Sequence, residues 1–119
     1  MAIRKIDKRE WRDFLDGLTH DLVGREAEVE VAALGLGSRI AAEWLGLFGF
    51  NYDPRADVIE IALDGVDHMI QAPREVWADI GATGLSALEI VGSDGTKQIV
   101  RLRAPLQIAA PAHARADER

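Results

Sequence analysis

Val58-Ile59-Glu60-Ile61-Ala62-Leu63, then Asp64-Gly65, then Val66-Asp67-His68-Met69-Ile70-Gln71-Ala72 is the stretch on which the reading of this chain turns. Two runs rich in β-branched residues are joined by Asp-Gly, a strong hairpin signal because both central positions of a type I′ turn need φ > 0. A two-residue turn sets Leu63 opposite Val66, Ile61 opposite His68 and Ile59 opposite Ile70. Six side chains, five of them aliphatic, then share one face, and Glu60, Ala62, Asp67 and Met69 take the other.

Working back from the hairpin, Asp53-Pro54-Arg55-Ala56-Asp57 is a turn-forming loop whose Asp and Pro suit an Asx turn. Its two carboxylates fall short of a calcium loop, which needs more ligands and a terminal glutamate. Leu47 to Tyr52 reads as a strand with Phe48, Phe50 and Tyr52 on one face, and Gly46 and Gly49 mark places where it bends or bulges. Glu26 to Ala33 alternates strictly, placing Glu26, Glu28 and Glu30 on one side, as in a half-buried antiparallel strand. Gly35-Leu36-Gly37 turns the chain, and Arg39 to Trp44 returns with Ile40, Ala42 and Trp44 on one face and Arg39 toward the glutamates. Gly-Leu-Gly is not a phosphate loop, since no Lys-Ser or Lys-Thr follows it. At the start of the chain, Asp7 with Glu10 three residues on predicts a capped helix. Trp11, Phe14, Leu15 and Leu18 form its apolar stripe, and it ends near His20 to Gly24.

Beyond the hairpin, Pro73 is placed to open a short helical turn across one edge of the sheet, with Trp77 plugging an open end of the core. Leu85 to Val91 and Thr96 to Arg103 form a last hairpin around Ser93-Asp94-Gly95, pairing Leu88 with Val100 and Ser86 with Leu102. Lys97, Arg101 and Arg103 then stripe the opposite face. That stripe is a candidate interaction surface, for the acidic face of another subunit or a small anion, against the plainer reading of a solvated, edge-guarding face. Residues 1–104 read as one domain and 105–119, rich in Ala and Pro, as a mobile tail.

Composition excludes several classes. The 119 residues are 48% hydrophobic and 29% charged, ordinary usage for one globular domain. With no cysteine there is no disulfide, thiolate metal site or cysteine nucleophile. No apolar run approaches a membrane span or a secretory leader, which points to the cytoplasm and no membrane partner. Residues 26–95 carry thirteen Asp or Glu against Arg39, Arg55 and Arg74, a net of −10, which opposes nucleic-acid binding.

No catalytic, cofactor or metal motif stands out. The three glutamates of one strand are a solvated face, with no carbonyl loop to complete a metal site. Ser38, Ser86 and Ser93 lack a nucleophile setting, and His20, His68 and His113 lack metal spacing. His68 beside Asp67 is the residue closest to chemistry, yet its register puts it on the aliphatic face as a core or rim histidine. Trp44, Tyr52, His68, Arg74 and Trp77 are the candidate lining of a small-molecule pocket, and Asp67, His68 and Arg74 form the cluster an enzyme would use.

Several of these segments together carry a resemblance. Asp7-x-x-Glu10-Trp11-x-x-Phe14-Leu15, Tyr52-Asp53-Pro54 with Asp57 to Leu63, Asp67-His68-Met69-Ile70, Pro73-Arg74, and Leu88-Glu89-Ile90 before Asp94-Gly95-Thr96 resemble a family of short uncharacterised bacterial proteins. The resemblance spans Ile3 to Arg103 and implies no activity, cofactor or catalytic residue. The fold expected from the elements is α+β, an N-terminal helix followed by about six short antiparallel strands in a strongly curved sheet or small barrel. The alternative is a flatter antiparallel sheet with the helix across one face. The function expected is a non-enzymatic interaction or structural module that pairs with itself through a sheet edge, as a dimer or larger, or that takes an unknown protein partner. The alternatives are a small-molecule-binding barrel and, after it, an enzyme.

Overall fold

The computed structural model describes residues 2–21, 25–33 and 35–106. Eight antiparallel strands form one open sheet: β1 (Ala2–Ile6), β2 (Glu26–Ala33), β3 (Gly37–Asp53), β4 (Val58–Leu63), β5 (Val66–Gln71), β6 (Pro73–Gly81), β7 (Gly84–Gly92) and β8 (Lys97–Leu106). Their order across the sheet is β1-β6-β7-β8-β2-β3-β4-β5. A short 3₁₀ turn (Lys8–Glu10) leads into one helix, α1 (Trp11–His20). The sheet does not close, so the expected barrel gives way to an open sheet with β1 and β5 at its edges. It is also richer in strands than expected. The runs at 39–44 and 47–52 are a single 17-residue strand, while β1 and β6 are additional.

The β4–β5 hairpin has the register its turn dictates, with Leu63 against Val66, Ile61 against His68 and Ile59 against Ile70. Gly65 takes φ 79, as the turn requires. Asp7 caps as expected, accepting from the Arg9 N–H at 3.0 Å, but the turn it caps is the 3₁₀ segment. Trp11, Leu15 and Leu18 are buried, and Phe14 packs at the margin of the core. The Asp53 carboxylate accepts from the Arg55 N–H at 2.9 Å, the Asx turn of that loop.

β3 serves two neighbours in succession. Its first half pairs with β2 and its second with β4, and register shifts interrupt both ladders. Each extra residue turns the following side chains to the other face. Hence Ile40 lies opposite Glu30 and is 45% exposed, whereas Ala42 is buried. Phe48 is likewise 63% exposed although Phe50 and Tyr52 are core residues. The faces expected for Ile40, Ala42 and Trp44, and for Phe48, are corrected by these bulges.

Where β2 diverges from β3, α1 takes its place. The Thr19 hydroxyl accepts from the Phe50 N–H at 3.0 Å, and its one proton is shared between the carbonyls of Phe50 and Leu15. A methyl added at Gly49 would lie 2.7 Å from Thr19 Cγ2, so the close approach of helix and strand needs glycine. At the other end of α1, the Trp11 indole donates to the Ile6 carbonyl at 3.0 Å and meets the Tyr52 ring edge-on, with centroids 5.2 Å apart.

Pro73 opens a strand rather than a helical turn. β6 pairs with β7 on one side and β1 on the other, so Trp77 alternates with the fully buried Val76 and Ala78 and faces outward, not into the core. β7 and β8 pair Leu88 with Val100 as expected. A shift between Leu85 and Ala87 breaks the pairing of Ser86 with Leu102, and the Ser86 hydroxyl donates to the Asp79 carbonyl instead. β8 continues through Pro105 to the buried Leu106, past the expected domain boundary at 104. The remainder of the expected tail, 107–119, lies outside the described residues. Among those residues no helix is long and apolar enough to cross a membrane.

Candidate functional site

The five residues expected to line one pocket have different surroundings, and one of them, Tyr52, is a core residue. Trp44 is in the left-handed region, φ 50, and the Arg103 guanidinium stacks over its ring at 4.9 Å. Tyr52 is buried against Trp11 and donates to Asp57 at 2.8 Å; burial first and this carboxylate second push its pKa up to about 12. His68 points from β5 to the core side, where a ring nitrogen meets Gln98 of β8. That partner was not visible in the sequence, although the core-side placement was.

Arg74 and Trp77 line two separate clefts. Arg74 borders a cleft of about 580 Å³ with Lys5, Lys8 and Arg9. The three neighbouring cations are matched there by Glu75 at 3.9 Å, Asp57 at 3.8 Å and Asp7 at 3.1 Å. Trp77 walls a groove of about 470 Å³ on the outer face of β6, β7 and β8. The proposed catalytic trio is not assembled either: Asp67 alternates with His68 and faces outward, and Arg74 lies beyond the strand in the first cleft.

The cationic stripe of β8 meets its complement within the chain. Arg101 donates to Glu30 at 2.8 Å and to Glu28 at 3.4 Å, and Arg103 pairs with Glu26 at 3.2 Å. The glutamates expected to face Arg39 are thus held by β8. Hydrogen bonds from Arg101 first and Ser38 second keep the Glu30 carboxyl below the usual carboxylate range. Lys97, the third member of the stripe, is exposed. Among the described residues no group of three or more His, Asp or Glu is placed to hold a metal ion.

The two edges of the sheet differ in their protection. β1 carries Arg4 and Lys5 in five residues. β5, reading Val-Asp-His-Met-Ile-Gln, has no lysine, arginine, proline or bulge, and Val66 and Met69 are 41% and 49% exposed.

A family model matches residues 2–111, described as a family of unknown function, DUF5335. The chain belongs to this family. A relative from Aquifex aeolicus (strain VF5), described as an uncharacterized protein, is 32% identical over 104 residues, covering 87% of this chain and 94% of the relative. No solved structure matches the chain. The family thus agrees with the resemblance carried by the motifs and brings no activity with it.

Proposed function

We propose that this member of the DUF5335 family is a non-enzymatic interaction module that self-associates by pairing β5 with β5 of a second copy across a two-fold axis. The observation that carries the reading is the unguarded edge at β5. Natural sheets blunt such edges with charged side chains, lysine above all, with proline, a bulge or a covering element; β1 carries two cations, whereas β5 has Asp67 alone and no cover among the described residues.

Strand geometry fixes how the pairing would run. The two-residue turn makes Leu63–Val66 and Ile61–His68 hydrogen-bonded pairs, so Asp67, Met69 and Gln71 turn their N–H and C=O groups away from β4. A two-fold axis at Met69 sets Met69 against its copy and Asp67 against Gln71 of the partner, avoiding an Asp–Asp contact. One open edge yields a closed dimer rather than a fibre.

Light scattering after size exclusion tests this directly. The full chain is expected at twice its 13.0 kDa mass. Met69→Pro is expected to return it to 13.0 kDa with the circular dichroism of the folded chain retained, because the lost N–H makes no bond within the chain. A wild-type monomer at about 0.1 mM, where even a micromolar association would be complete, overturns the reading.

A further inference from the structure

The outer face of the other end of the sheet has a layout that its register makes explicit. One row across β1, β6, β7, β8 and β2 reads Ile3, Asp79, Ala87, Arg101, Glu28, and the next reads Lys5, Trp77, Glu89, Ile99, Glu30. Ala87, the smallest side chain in the middle of these rows, is the floor of the 470 Å³ groove. Ile3, Trp77 and Ile99 wall it, and Ile3 is 57% exposed.

The charge around this apolar floor is one-sided. Asp79 and Glu89 line the groove and make no ion pair among the described residues. Arg101, the cation that also lines it, is shared between Glu28 and Glu30, and so is more than neutralised. Lys5, whose ammonium lies over the Trp77 ring 5.8 Å from its centroid, is matched by Glu75 at 3.9 Å. Four carboxylates against one guanidinium leave a formal charge of −3 around a groove walled by an indole and two isoleucines.

We infer that this groove docks a basic segment of a protein partner, with a Lys or Arg head between Asp79 and Glu89 and aliphatic side chains against Trp77 and Ile99. An ammonium or guanidinium over the floor gains the two unpaired carboxylates, and the Trp77 indole, held by its bond to Glu75 at 2.9 Å, gives its aliphatic neighbours a fixed wall. The flanking aliphatics cover Ile3, which the fold leaves in water, and the half-buried Ile99. An acidic or phosphorylated ligand meets a net negative rim, since Arg101 is already shared between two glutamates and Lys5 is matched by Glu75. This surface lies on β6, β7 and β8, away from β5, and the inference stands whether or not β5 forms a dimer.

A fluorescein-labelled peptide, Gly-Leu-Lys-Leu-Lys-Leu-Gly, titrated with the full chain and read by fluorescence anisotropy, tests the assignment. Binding is expected to weaken as sodium chloride rises, and to fall at least tenfold in Asp79→Asn/Glu89→Gln and in Trp77→Ala. Circular dichroism checks that each variant is folded. Asp64→Asn/Asp67→Asn removes two acids elsewhere and is expected to bind as the wild type does. No binding at low salt, or equal losses in the two double variants, overturns the inference. So does spermidine binding that depends on Asp79 and Glu89 and is tighter than that of the peptide, since the occupant would then be a free polyamine.

Discussion

β3 and β5 each have a flank that no neighbouring strand pairs, and the fold treats the two differently. On the second half of β3, α1 seals the gap: Thr19 satisfies both backbone groups of Phe50, Gly49 admits the helix, and Trp11 anchors its first turn. Along β5 nothing among the described residues plays that part, and Asp67, Met69 and Gln71 are exposed. An edge can be closed within the chain by a helix or left for something outside it. The sealed flank therefore accounts for stability, and the open one is where the proposed association would act.

Breaking the seal should cost most at its anchor. Trp11→Ala removes a side chain 1% exposed together with its bond to Ile6, and a loss of about 3–5 kcal/mol is expected in chemical denaturation. Gly49→Val drives a side chain into Thr19 and is expected to cost about 2–3 kcal/mol. The cost should shrink in a Thr19→Ala background, and additivity of the two changes would show that they do not touch. Thr19→Val keeps the shape but leaves Phe50 without its partner, for about 1–2 kcal/mol.

Tyr52, on the sealed side, sharpens the comparison by titration. Its folded pKa of about 12 is raised above the unfolded value of about 10, so its contribution to stability is complete below pH 10 and is lost as pH rises toward 12. Being the single tyrosine, it can be followed by phenolate absorbance, and the native midpoint should fall in Asp57→Ala. The smallest effect belongs to the open flank: Met69→Lys should change stability by less than about 0.5 kcal/mol while abolishing any dimer.

How far these features can be read from sequence depends on how local their causes are. The β4–β5 register is legible because Asp64-Gly65 fixes it, and the face of α1 is legible because Trp11, Leu15 and Leu18 recur at helical spacing. β3 defeats simple alternation because its bulges are inserted between residues that each look regular, so Ile40 and Phe48 land on the unexpected side. β6 is missed because Pro73 also suits a helix start and its pairing with β1 joins residues some seventy positions apart. The cations of β8 are evident as a stripe, but their partners, Glu26, Glu28 and Glu30, become so only when β2 and β8 are known to be neighbours. The groove over Ala87 has no sequence signal at all, since its rim draws on four strands.

The pairing of β1 with β6 also sets an order in time. Residues 2–6 are made before residues 73–81, so at about 5–20 residues per second β1 waits roughly 4–14 s for its partner to be synthesised. The hairpins β4–β5 and β7–β8 close over short loops, while β1 closes the longest loop in the sheet. A strand made well before its partner is thus secured late, and until then the ribosome-bound chain carries Ile6, 1% exposed in the finished fold, without a place to put it.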